Sequence, residues 1–223
     1  MKLSQKQIVW GIGALTALVV IVIVVRVLTV PWPPLVVVKK MVPPGASHDD
    51  RVKQFEFAYS EVHRRPFFSF SWNSLGAAWY GIGDTKRAIS SWKEAASLGG
   101  DAWLPRLNMA RAYISLQKFT EARDQLREAH KIRPDNTSIC FEYGDLLRNN
   151  FYPESVDELG QMYVACINAK EDPILRDRLG QLYMDLGKYK EALVIYEKLN
   201  KDHPDDGRFS AKIGDIKKIL GLK

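Results

Sequence analysis

The chain of 223 residues is 46% hydrophobic and 26% charged, enough apolar material for one sizeable domain. Its net charge of +6 is concentrated at one end: residues 1–68 hold nine Lys/Arg and four Asp/Glu, whereas residues 69–223 hold 23 and 22. The near-neutral C-terminal two-thirds lacks the basic stripe that neutralises phosphates, which argues against a duplex nucleic-acid binder; the N-terminal excess instead suits anionic head groups.

The first element is Ile8–Val25, an uncharged run whose one polar side chain is Thr16. At 1.5 Å per residue it spans about 27 Å as a helix, close to the thickness of a bilayer core. Trp10 and Trp32 stand near its ends, where interfacial aromatics are expected. The run is long for a signal peptide, and Pro31-Trp32-Pro33-Pro34 follows it in place of a small-residue cleavage site. Residues 1–30 are therefore expected to form an uncleaved single-pass anchor. Positive charges nearly balance across it. The short basic tail favours an inside N-terminus, with the remainder on the extracytoplasmic (periplasmic) side and the cytoplasmic side as the alternative.

Residues 31–48 are rich in proline and predict a stiff spacer. Residues 49–66 predict a lead-in helix: Asp49 or Asp50 caps it, and Val52, Phe55, Tyr59 and Val62 form one apolar stripe.

Beyond residue 68 the sequence repeats. Trp72, Leu75, Gly76 and Trp79 precede Ala88, Trp92 and Ala95. About 34 residues on, Met109, Ala110 and Tyr113 precede Ala122, Leu126, Ala129 and Pro134. Cys140, Tyr143, Gly144 and Leu147 follow at an irregular step, and then Leu179, Gly180, Tyr183, Gly187, Tyr189, Ala192, Tyr196 and Pro204. Small residues let two helices approach closely, and the aromatics fill the space between successive pairs.

This pattern resembles the tetratricopeptide repeat, most closely in LGQLYMDLGKYKEALVIYEKL (Leu179–Leu199). The resemblance implies an all-α fold, a right-handed superhelical solenoid of antiparallel helix pairs, with repeats at 69–102, 103–136, 137–172 and 173–206. Residues 207–223 resemble a capping helix with Ile213, Ile216 and Leu220 on one face. The third unit departs from the pattern: Val156 stands where alanine is expected, Tyr152-Pro153 interrupts the turn, and the unit is about two residues too long.

In this family the exposed first-helix positions line a groove. Here they are Phe70, Asn73, Ala77 and Tyr80; Leu104, Leu107, Arg111 and Ile114; Phe141, Asp145 and Arg148; and Asp177, Gln181 and Met184. Leu104 and Leu107 are also placed to pack between repeats. Some relatives hold a chaperone's C-terminal carboxylate with Lys and Asn, but Ala77, Arg111, Asp145 and Gln181 stand where the Asn would recur. The mixed, fairly apolar groove suits a helix or an extended peptide.

No catalytic constellation appears. HExxH, GxSxG and Walker patterns are absent, and His48, His63, His130 and His203 are scattered and read as solvated. Cys140 and Cys166 match no zinc signature. They read as small buried side chains or as one disulfide, which would require an oxidising compartment. The expectation is a non-enzymatic, membrane-anchored scaffold with no cofactor, metal site, small-molecule substrate or nucleic-acid partner. It would bind protein partners and assemble or stabilise a membrane-associated complex. The alternative is an integral accessory subunit whose anchor packs on other transmembrane helices, for which Gly13 and Ala17 are spaced suitably.

Overall fold

The computed structural model describes residues 48–99 and 102–222, together with six positions nearer the N-terminus: Ala14, Ala17, Leu18, Val20, Ile21 and Val22. Those six are helical and exposed. The rest of the expected anchor and the proline-rich spacer up to residue 47 lie outside the described residues. Among the described residues no helix is long and apolar enough to cross a membrane.

Among the described residues from 48 on, every regular element is a helix: α1 His48–Arg64, α2 Ser69–Gly81, α3 Thr85–Ser97, α4 Trp103–Ser115, α5 Phe119–Ile132, α6 Thr137–Asn150, α7 Val156–Ala169, α8 Pro173–Asp185, α9 Tyr189–Asp202 and α10 Gly207–Leu220. They fall into two compact units, one up to Met109 and one from Ala110 on.

In the first unit α1 packs on α2 and α2 on α3. The lead-in stripe is buried, with Val52, Phe55, Tyr59 and Val62 all at 4% exposure or less. Phe55 meets Trp79 edge-on at 4.4 Å between ring centroids. Gly76 permits the close approach of α2 and α3: a Cβ there would lie 2.4 Å from Trp92 Nε1, which donates to the Asn73 carbonyl at 3.1 Å.

In the second unit the same device recurs. A Cβ on Gly144 would meet Tyr163, and one on Gly180 would meet Tyr196 and Ile195 at 2.9 Å. The capping helix α10 closes this unit on α9, with Phe209 and Ile216 buried against Tyr196 and Leu199. Asn136, Asp172 and Asp206 cap α6, α8 and α10 by accepting backbone N–H groups.

The turn inside a helix pair is three residues long at 82–84, 116–118 and 186–188, but five at 151–155. In the short turns the backbone goes left-handed at Gly83, Gln117 and Gly187. The long turn instead tucks Ser155 inward, with its Oγ donating to the Leu147 carbonyl at 3.3 Å. The two extra turn residues, with one more residue at the end of α6, explain why Gly144 meets Tyr163, 19 positions on, whereas Gly76 and Gly180 meet Trp92 and Tyr196, 16 positions on.

Candidate functional site

In the first unit the candidate face is α2. Its inner side holds Trp72, Leu75 and Trp79, each at 7% exposure or less. Its outer side carries Phe70 and Tyr80, 63% and 41% exposed, with Ala77 open between them. Asn73 is half-buried and accepts from Asn108 Nδ2 at 3.1 Å, so it braces α2 against α4 at Asn108. Leu104 is half-buried. Leu107 is 2% exposed, so the expectation that it lines an open groove is corrected: it belongs to the core. The physical reason is helix phase. Positions three before the small residue (Asn73, Leu107, Phe141, Asp177) turn toward a neighbouring helix and are half-buried or buried. Ala77, Arg111 and Asp145, one after it, stand open, and Gln181 is half-buried.

In the second unit the equivalent face is occupied by its own charges. Arg111 donates to both Glu142 oxygens, at 2.6 Å from Nη2 to Oε1 and 3.0 Å from Nε to Oε2. Arg178 pairs with Asp145 at 2.5 Å and lies over the Phe141 ring at 4.8 Å. Arg148 pairs with Asp185 at 2.5 Å, and Gln181 donates to the same carboxylate at 2.9 Å. Lys212 of α10 donates to Asp177 at 2.9 Å and to the Tyr196 hydroxyl at 2.9 Å. Burial alone would lower the Lys212 ammonium, but Tyr196 and Asp177 outweigh it and hold the pKa above the ordinary value. Ile114 and Met184 are half-buried. The groove of this unit is thus a ladder of ion pairs between successive first helices, not the fairly apolar channel expected.

Sequence reasoning missed one feature and left a second open. The first is Glu158 on α7, which accepts from Arg123 and Arg127 of α5 and from the Tyr143 hydroxyl of α6. Burial pushes this carboxyl up, but the bonds from Arg127, Arg123 and Tyr143 outweigh it and hold it at about 2. Burial and the Glu158 carboxylate together push Tyr143 well above the ordinary phenol range. The signal was legible in principle: opposite charges recur 31 to 37 residues apart, close to one repeat.

The second is the pairing of Cys140 on α6 with Cys166 on α7, which are bonded across 6.3 Å between Cα atoms. Of the two readings the sequence allowed, the disulfide is the one formed. His130 Nε2 lies 3.3 Å from the Cys166 sulfur, and burial lowers the imidazole pKa. It is therefore not the solvated histidine expected. His130, Cys140 and Cys166 have ligand atoms within 4.8 Å of one another, yet as a disulfide the sulfurs offer no thiolate to a metal.

Two segments match models of the tetratricopeptide repeat, residues 106–133 and 177–206. These segments are tetratricopeptide repeats. They coincide with α4–α5 and α8–α9, and α2–α3 repeats the small-residue and aromatic packing of α8–α9. No curated protein sequence matches the chain. Among solved structures, YrrB, described as a tetratricopeptide protein with an unusual peptide-binding site, shares 14% identity over 74% of this chain and 84% of its own, with a TM-score of 0.56. Two crystal structures of MamA share 16% and 15% identity, cover 75% and 78% of this chain and 99% and 94% of their own, and give TM-scores of 0.53 and 0.54. At these identities the likeness concerns the fold.

Proposed function

We propose that the chain is a membrane-tethered tetratricopeptide scaffold that captures a protein segment on the outer face of α2 and so assembles or stabilises a membrane-associated complex. The observation that carries the reading is the contrast between the two units. Phe70 and Tyr80 stand open on a helix whose far side is fixed in the core, while the charged positions of the second unit are tied to one another. An amphipathic helix or extended apolar peptide fits such a stripe, and the peptide-binding site named for YrrB supports the same use of the fold.

Two observations support the tether and its side. Leu18, Val20, Ile21 and Val22 are helical and 48–61% exposed within an uncharged 18-residue run, surface that lipid would cover. The Cys140–Cys166 disulfide favours an oxidising compartment, which supports the reading with the repeats on the extracytoplasmic side. A variant of this reading makes the chain an integral subunit: the same apolar helix, including small Ala14 and Ala17, would then pack on other transmembrane helices.

Purification of the full-length chain from native membranes in mild detergent tests the proposal. The expected result is a stoichiometric protein partner whose recovery falls about tenfold or more in Phe70→Ala/Tyr80→Ala, as for loss of an aromatic anchor. Equal recovery by that variant would refute the α2 site. Replacing residues 8–25 with an unrelated span separates the two readings: a tether keeps the partner, an integral subunit loses it.

A further inference from the structure

The turn between α1 and α2 differs chemically from the turns that lead into α6, α8 and α10. Those preceding α6, α8 and α10 place Asn136, Asp172 and Asp206 at the cap, and each accepts a backbone N–H. The cap of α2 is Phe68, which makes no side-chain cap bond. No carboxylate occurs between Glu61 and Asp84, while His63, Arg64 and Arg65 do. Phe67 and Phe68 are 47% and 50% exposed, and Phe57, two helical turns before Arg64 on the same stripe of α1, is 64% exposed.

The turn is held rigid. Trp72 Nε1 donates to the Pro66 carbonyl at 2.7 Å, Ser69 Oγ to the Ala95 carbonyl at 2.8 Å, and the Phe68 amide to Arg65 at 3.1 Å. The Arg65 guanidinium lies 5.9 Å from the centre of the Phe68 ring. Phe68 is therefore presented at the surface, with its ring centre 6.2 Å from that of the exposed Phe70. An exposed aromatic stands at the cap position, with basic residues and no acid in the turn itself.

We infer that this turn rests on an anionic bilayer surface: Phe67 and Phe68 enter the head-group boundary and Arg64 and Arg65 meet lipid phosphates. Charge complementarity selects this occupant. Aromatic rings prefer the interfacial zone, and arginines are drawn to an anionic leaflet. Arg64 also pairs with Glu61 at 2.9 Å, an exposed contact that a phosphate can replace. The inference rests on the proposed tether only for bringing the unit near a bilayer. Contact at the turn would fix which way the α2 face points.

The test uses full-length protein in phosphatidylcholine vesicles with or without phosphatidylglycerol, carrying p-benzoylphenylalanine in place of Phe68 or, as control, of Val194, which is 67% exposed in the second unit. Illumination should give a lipid adduct at position 68 on anionic vesicles and little at position 194. Arg64→Gln/Arg65→Gln should lower the adduct, with each arginine worth about fivefold. No lipid adduct at 68, a protein adduct instead, or equal yields at both positions would overturn the inference. Retention of the same samples through alkaline carbonate washing reports the anchor separately. A retained chain without an adduct refutes the surface contact alone. An adduct on a chain that washes off supports the contact and refutes the anchor.

Discussion

Replacing Glu158 with glutamine probes the charge cluster that joins α5, α6 and α7. The carboxylate serves Arg123, Arg127 and Tyr143 at once, and its pKa stands at about 2 against an ordinary 4.5. That difference corresponds to about 3.4 kcal/mol at 1.36 kcal/mol per pH unit. Solvent reaches a side chain that is 23% exposed, which reduces the contribution to about 1–2 kcal/mol. Because the folded-state pKa is depressed, this stability is fully present above pH 4.5 and is lost as pH falls toward 2. Urea unfolding followed by circular dichroism at 222 nm, at pH 7 and near pH 2.5, measures it as the difference between wild type and Glu158→Gln. The expected gap is about 1–2 kcal/mol at pH 7, shrinking to less than half at the lower pH. A gap independent of pH would refute the electrostatic account, and so would one below about 0.3 kcal/mol at pH 7.

Other perturbations test separate parts of the fold. Reducing the Cys140–Cys166 bond, which spans 26 positions, should cost about 3.5 kcal/mol by loop entropy, read as a drop in urea midpoint that Cys140→Ala/Cys166→Ala reproduces. Gly76→Ala drives a methyl into Trp92; overpacking of about 1–3 kcal/mol should exceed the gain in helix propensity, lowering the midpoint and shifting tryptophan emission. Gln117→Gly relieves a non-glycine residue at φ 58° and should raise stability by about 0.5–1 kcal/mol in the same melts.

The helix pairs were legible because each small residue and its aromatic partner are close in sequence. Gly76 and Trp92, or Gly180 and Tyr196, are separated by one turn and meet whichever way the rest of the chain runs. The lead-in stripe was legible for the same local reason. Phe209 was missed because its burial depends on α10 settling against Tyr196. The ion-pair ladder was missed because each rung joins residues 31 to 37 positions apart, and polarity alone does not say whether a charge faces solvent or a partner. Leu107 shows the limit of carrying groove positions over by alignment: a modest rotation about the helix axis separates an open position from a buried one. At Phe68 the misleading signal was positional. The residue sits where a polar cap is normal, and its exposure and missing cap bond became visible only in the structure.

The most direct test of the central claim is recovery of full-length protein from native membranes in mild detergent, comparing wild type with Phe70→Ala/Tyr80→Ala. The account predicts a stoichiometric protein partner with the wild type and its loss with the variant. A wild-type chain recovered alone, or a variant that keeps its partner, would contradict a scaffold working through the α2 face.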